Sequence, residues 1–437
     1  MPPPKSVSPL EALRIVTTEL PSLRVESLAL DSAAGSRRRY LAQGIESLPP
    51  RSGFPADPPN LRRAVSDGYA VSRAVESSHE LEVLGYVDVT GSWPQIDWRK
   101  GVAVRVECGA PLVEDVACVV PVAAVTVVGT QRVRVARPVD GGEGIAGGHP
   151  AERCQVIAAG ASVSPRLRAF LFASGIQSVN VFCGLRVGVL SIGDELTDSG
   201  PPYHADERPD GTGLWLSETL ERDGLTVVPL GIVSDEPGAI RDVLLRSRSR
   251  KIDVVVLAGG LGDGISDRTA EALKLFDTRL FFERLELDGC ERFLFAKSNG
   301  IDVFGLSGMP LAATVAYDLW VRPALLARLG AGRALWDWSR VSLPLENPAV
   351  CRPSGSDDTW RILAACRVAP PPSPSPSPSA HPPPSAHLDS DGPPCVRAWE
   401  PASPFTPWVP GATGWALIPP GAGPPARVYN PPIAGLR

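Results

Sequence analysis

The stretch that most constrains the fold runs from Asp253 to Asp267, D-V-V-V-L-A-G-G-L-G-D-G-I-S-D. Val254 to Ala258 are five apolar residues without polar alternation, the pattern of a strand covered on both faces in a parallel sheet. Gly259, Gly260, Gly262 and Gly264 follow at once, where the chain can take positive φ and let another molecule approach its backbone. Asp267 ends the loop as a helical pattern begins at Thr269. Two readings fit this loop: a tight turn with Asp267 as helix N-cap, or a ligand loop at the carboxyl end of a parallel strand. It is not a phosphate-binding P-loop, because no Lys-Ser/Thr pair follows.

The rhythm around this stretch is strand and helix in alternation from Leu185 to Leu329. Strands are expected at Arg186–Leu190, Leu225–Leu230, Asp253–Ala258 and Asp302–Leu306. Helices are expected at Leu214–Arg222, Pro237–Ser247, Thr269–Leu275 and Leu311–Leu329, the last interrupted by Pro323. Repeated units of this length predict a three-layer, parallel-sheet α/β domain. Upstream, Ser8 and Glu11 form a capping-box pattern opening a helix to Val16, and Pro165–Ala173 reads as a helix burying Leu167, Phe170 and Leu171. Short strands and turns from Leu81 to Val139 predict a small β domain. Further short strands after Val341 predict another, carrying the proline-rich insert 370–384. The fold class expected is multidomain α/β plus β. Its divisions are 1–50 with 141–182 as a split helical and extended domain, 51–140 as a small β domain, 183–330 as the α/β domain and 331–437 as a C-terminal β domain.

Composition narrows the function classes. The net charge of −5 argues against a nucleic-acid footprint. The longest apolar run, 117–129, is too short for a bilayer and contains Pro121. The start, M-P-P-P-K-S, has no apolar signal segment, and the eight cysteines are scattered without a C-x-x-C. A reducing, cytoplasmic setting is therefore expected, with neither a zinc site nor a disulfide framework.

Carboxylates mark several strand ends: Glu195 in S-I-G-D-E-L, Asp210 before a helix, and Asp267. Parallel strands bring their carboxyl-end loops to one edge, so these acids are candidates to converge on a hard cation such as Mg²⁺. Taken singly, each also fits a helix cap.

Six blocks, A-V-S-D-G-Y-A, V-E-C-G-A-P-L, V-G-V-L-S-I-G-D-E-L, L-G-I-V-S-D, L-A-G-G-L-G-D-G-I-S-D and V-F-G-L-S-G-M-P, occur in an order that resembles the molybdopterin molybdotransferase family, which includes MoeA and the gephyrin E domain. The resemblance spans about Ser8 to Leu329. It implies a molybdopterin-binding α/β domain, a homodimer, and insertion of molybdenum from molybdate into adenylylated molybdopterin with Mg²⁺ present. It also implies a pterin nucleotide as the partner, beside the absence of nucleic acid and membrane expected from charge and hydropathy. Matched motif by motif, it implies Asp67, Glu195 and Asp267 as catalytic residues and Asp210, Asp267 and Glu195 as metal ligands. Cofactor-binding positions would be Gly68, Tyr69, Gly193, Asp194, Gly259, Gly260, Gly264 and Gly308.

The departures concern the groups that hold anions. The family's K-P-G-K-P falls on Leu287-Asp288-Gly289-Cys290-Glu291, without either lysine, and P-G-N-P-V-S reads Ser307-Gly308-Met309-Pro310-Leu311-Ala312. Serine positions of the glycine loop are Ala258 and Gly262, a threonine has become Cys108, and D-S-N reads Asp210-Gly211-Thr212. Each lost charge-assisted hydrogen bond is worth about 1.5–3 kcal/mol. Lys297, Arg284 and Arg292 are the nearby cations that stand as substitutes. The alternative function is a catalytically impaired member that binds molybdopterin and Mg²⁺ or acts as a scaffold. A third is a metal-dependent phosphoester or pyrophosphate cleavage.

Overall fold

The computed structural model describes residues 6–19, 24–31, 38–45, 61–98 except 77, 101–147, 157–262 except 199 and 202, 268–274 and 278–338. It also describes the backbones of five strands between 342 and 429. Its centre is the strand Val254–Ala258, paired in parallel with Arg186–Ile192 on one side and Ile301–Leu306 on the other. Thr226–Val233 extends the sheet in parallel beyond Arg186–Ile192.

The absence of polar alternation in Val254–Ala258 has a direct cause. Val254, Val256 and Ala258 point into one core, against Pro9–Thr18, Gly211–Arg222 and the long helical stretch from Pro310. Val255 and Leu257 point into another, against Pro237–Ser249 and Thr269–Lys274. Burial of each valine or leucine removes apolar surface worth about 1.5–3 kcal/mol, so neither face tolerates a polar residue.

The expectation of a parallel sheet needs correction. Phe293–Ser298 runs antiparallel to Ile301–Leu306, and Thr278–Phe282 runs antiparallel to Phe293–Ser298, making a mixed six-stranded sheet. The hairpin turns at Asn299 and Gly300, with φ of 51° and 83°. Two successive residues at positive φ suit a tight two-residue hairpin, and Asn-Gly is the dipeptide that tolerates it. That local signal was present in the sequence and outweighs the βα rhythm there.

The final helix differs from expectation too. Instead of being interrupted at Pro323, the chain runs through Pro310–Ala316, a widened π turn at Tyr317–Val321 and Arg322–Arg328. Proline cannot donate to the carbonyl four residues back, Leu319. The indole N–H of Trp338 donates to that carbonyl at 2.7 Å, so the buried acceptor is satisfied and the helix continues. At the other end of the chain, Ser8 caps Pro9–Thr18 by accepting from the Glu11 N–H at 3.3 Å. The Glu11 side chain pairs with Arg14.

Before the α/β sheet lies a six-stranded sheet in the order Cys118–Pro121, Gly68–Val71, Val102–Val106, Glu80–Val87, Arg132–Val135 and Val125–Gly129. Val25–Ala29 pairs antiparallel with Ser178–Phe182, joining segments from either side of that β unit. Helix Pro165–Ala173 fully buries Leu171, while Leu167 and Phe170 are partly covered. Near the carboxyl terminus, Ser342–Pro344, Arg427–Tyr429, Gly414–Ile418, Arg361–Val368 and Cys395–Trp399 form an antiparallel sheet in that order. The insert 370–384 lies outside the described residues.

Candidate functional site

Loops from the carboxyl ends of the parallel strands enclose a cavity of about 730 Å³. That volume is within the range of small-molecule sites. After Arg186–Ile192 come Gly193 and Glu195, after Thr226–Val233 comes Asp235, after Val254–Ala258 come Gly259 to Gly262, and after Ile301–Leu306 come Ser307 to Pro310. Arg208 to Thr212 and Arg292 complete the wall.

The loops are tied to one another by backbone hydrogen bonds. Gly193 N–H donates to the Val233 carbonyl at 3.1 Å and Gly259 N–H to the Leu306 carbonyl at 3.0 Å. The Asp194 N–H donates to Asp235 Oδ2 at 3.3 Å. Gly259 has φ of 104°, and a Cβ there would run into the Ile192 carbonyl oxygen; Gly260 has φ of 66°, and a Cβ would meet the Thr269 hydroxyl. The glycines are therefore required by close packing inside the loop as well as by their φ.

Asp210 caps the helix Gly211–Arg222. Its Oδ1 accepts from Gly213 N–H at 2.8 Å and its Oδ2 from the Ser191 hydroxyl at 2.5 Å. Any Cβ at Gly213 would overlap that carboxylate, so the glycine is part of the arrangement. Glu195 is exposed, and its carboxylate folds back over Gly193.

Of the positions singled out in the sequence, Gly193, Glu195, Asp210, Gly259, Gly260 and Gly308 line the cavity. Asp194 reaches it only through its backbone bond to Asp235. Asp267 and Gly264 lie outside the described residues. Asp67, Gly68 and Tyr69 are elsewhere, in the β unit. Asp67 Oδ1 accepts from the Cys108 N–H at 2.7 Å, Gly68 packs on the Val120 backbone, and Tyr69 is buried with Val71 and Val120.

Among the described residues, no group of three or more His, Cys, Asp or Glu side chains is placed to hold a metal ion. Asp210 already accepts two hydrogen bonds as a cap. The described side chains thus do not by themselves fit a resident metal.

The segment at the family's lysine positions is turned inward. Leu287 and Cys290 are buried in the core, burial pushes the Cys290 thiol well up, and Glu291 accepts from Gly289 N–H at 3.1 Å. Of the substitute cations, only Arg292 lines the cavity. Lys297 lies toward the opposite edge, 3.9 Å from Asp302, and Arg284 pairs in register with Ser6. Arg208 and Asp235 line the cavity without having been singled out in the sequence. Asp235 ends the block L-G-I-V-S-D, so its place after a parallel strand was a usable signal. Arg208 had none, because it is positioned by a short pairing with Leu196.

Residues 7–175 match the model of the MoeA N-terminal region (domain I and II), and 188–327 match that of the probable molybdopterin binding domain. The chain belongs to the MoeA family. The molybdopterin molybdenumtransferase of Haemophilus influenzae is 28% identical over 316 residues, covering 72% of this chain and 74% of that protein. Its counterpart from Synechococcus elongatus is 26% identical over 320 residues, covering 70% and 77%. The crystal structure of a molybdopterin biosynthesis MoeA protein from Pyrococcus horikosii shares the fold, with a TM-score of 0.64 at 21% identity, over 99% of this chain and 100% of that one. The MoeA family's two matched regions meet the chain on either side of Ser178–Phe182, the strand paired with Val25–Ala29.

Proposed function

We propose that this chain acts in molybdenum cofactor biosynthesis as a molybdopterin molybdotransferase, transferring molybdenum from molybdate to adenylylated molybdopterin bound in the cavity at the sheet's carboxyl edge. The observation that carries the reading is that four separate motif blocks supply the walls of one cavity of about 730 Å³. Its relatives over most of the chain bear the name molybdopterin molybdenumtransferase.

Within this reading, Gly259, Gly260 and Gly308 present backbone to the ligand, Asp210 is held rigid by Ser191 and Gly213, and Glu195 is the exposed carboxylate facing the cavity. Asp210, Asp267 and Glu195 stand as the Mg²⁺ positions on the resemblance of their motifs, and the described side chains of Asp210 and Glu195 do not by themselves form a metal cluster. Asp67, Gly68 and Tyr69 are kept as site candidates contributed from the β unit, in a homodimer of twice 46.2 kDa. The division at 1–50 with 141–182, 51–140, 183–330 and 331–437 and a cytoplasmic setting belong to the same proposal. No described helix is long and apolar enough to cross a membrane, and the described cysteines Cys108, Cys118, Cys183 and Cys290 are free thiols.

Reconstitution tests it: purified full chain with adenylylated molybdopterin, Mg²⁺ and molybdate should form active cofactor above background, and omission of Mg²⁺ should lower the yield. No cofactor above background would sink the transferase reading. The second reading, a pterin-binding member without turnover, is favoured by the burial of Leu287 and Cys290 at the lysine positions. Calorimetric binding of the pterin nucleotide without cofactor formation would select it.

A further inference from the structure

Any anion in the cavity needs positive charge, and the 287–291 turn cannot supply it, since its two inward side chains are Leu287 and Cys290 and its outer ones include Asp288 and Glu291. Two arginines line the cavity instead. Phe293 pairs with Leu306 in the antiparallel hairpin, so Arg292 falls just past the strand end, level with Ser307 and Gly308. It is half-buried, and its Nη1 donates to the Leu261 carbonyl at 3.3 Å, which seats the guanidinium against the glycine loop. Arg208 is fixed by its own backbone, donating from N–H to the Glu195 carbonyl at 2.8 Å beside the cap residue Asp210. Its side chain is exposed.

We infer that Arg208 and Arg292 form the oxyanion-recognition pair of this cavity, gripping one tetrahedral oxyanion across the Gly259–Gly262 loop in place of the missing lysines. This rests on the transferase reading for the identity of the ligand but not for the chemistry of the grip. A guanidinium offers a planar fork of donors that matches two oxygens of a phosphate or molybdate, stays charged at any working pH, and is less strongly hydrated than an ammonium. Two of the three carboxylates in the wall already receive hydrogen bonds, Asp210 from Ser191 and Gly213 and Asp235 from Asp194. The same tetrahedral chemistry belongs to the phosphate of the pterin nucleotide and to free molybdate.

The experiment is calorimetric titration of the full chain and of Arg292→Gln, Arg292→Lys and Arg208→Gln with three probes: molybdate, pyrophosphate and adenylylated molybdopterin. Arg292→Gln should weaken binding at least about tenfold, the loss of a charged hydrogen bond, and Arg208→Gln several-fold because its head is solvated. Arg292→Lys should recover part of the affinity. Loss confined to pyrophosphate and the nucleotide assigns the pair to the substrate phosphate, and loss confined to molybdate assigns it to the metal oxyanion. Thermal midpoints report folding, and if Arg292→Gln is unfolded, Arg292→Lys and Arg208→Gln carry the comparison. Folded variants binding all probes within twofold of the parent overturn the inference, as does a parent that binds none of them. A parent that shows arginine-dependent pyrophosphate or molybdate binding but no nucleotide binding sinks the transferase reading and leaves the arginine pair standing.

Discussion

The two edges of the α/β sheet carry similar charged residues and use them in opposite ways. At the amino edge, Asp302 is buried with Arg328, which donates to its carboxylate and to the Asp253 carbonyl, while Lys297 stands 3.9 Å away. Burial pushes the Asp302 carboxyl up and the two cations pull it back. Asp253 accepts from the Arg186 N–H at 2.9 Å and from Arg24 at 3.2 Å. At the carboxyl edge, Glu195, Arg208 and Arg292 face a cavity, and the glycine loop leaves room for a ligand. Charge type alone does not separate structural from ligand-binding residues; position along a strand does.

The largest effect should come from breaking the amino edge. Arg328→Ala would leave Asp302 buried without its main partner and cost about 3–5 kcal/mol of stability in a denaturant titration. Without Arg328 the folded-state pKa of Asp302 rises further above its unfolded value. The fold then favours the protonated acid, and stability is lost as pH rises through that pKa, so the variant should be relatively weaker at pH 8 than at pH 5. Molybdate and nucleotide binding by the surviving folded fraction should be unaltered. An equal loss of binding would break the contrast between the edges.

Gly259→Ala comes next. A Cβ there clashes with the Ile192 carbonyl at a φ of 104°, for a cost of about 1–3 kcal/mol, and the displaced loop should lower nucleotide affinity, measured by calorimetry. Asp210→Ala removes the cap of Gly211–Arg222 and should cost about 1 kcal/mol, read as a lower thermal midpoint. The smallest change is expected at Arg24→Ala, whose exposed pair with Asp253 is worth about 0–1 kcal/mol and should be nearly silent in the same measurement. A loss at Arg24 comparable to that at Arg328 would show that depth does not distinguish these pairs.

Much of the carboxyl edge was legible because its signals are local. Five apolar residues ending in Gly259-Gly260 specify a buried strand and its loop without reference to anything distant, and Asp210 before Gly211–Arg222 reads as a cap from its neighbours alone. The π turn at Tyr317–Val321 was not legible in this way. The Leu319 carbonyl within it is satisfied by the Trp338 indole, and that contact exists only once the chain has folded back.

The sequence by itself determined the strand Val254–Ala258, the glycine loop after it, the ordered motif blocks that mark the MoeA family and the loss of both motif lysines. Only the tertiary structure decided which cations replace them. Arg292 stands just before the strand Phe293–Ser298 and Lys297 near its far end, five positions or roughly 16 Å apart at about 3.3 Å per residue, and the antiparallel hairpin sends the first to the cavity and the second toward Asp302. Arg208 arrives by pairing with Leu196, and Asp235 by the parallel register of a neighbouring strand. Local pattern fixes what each segment becomes, because side-chain burial and backbone φ act within a few residues; strand direction and register fix what meets, because those depend on partners far away in the chain.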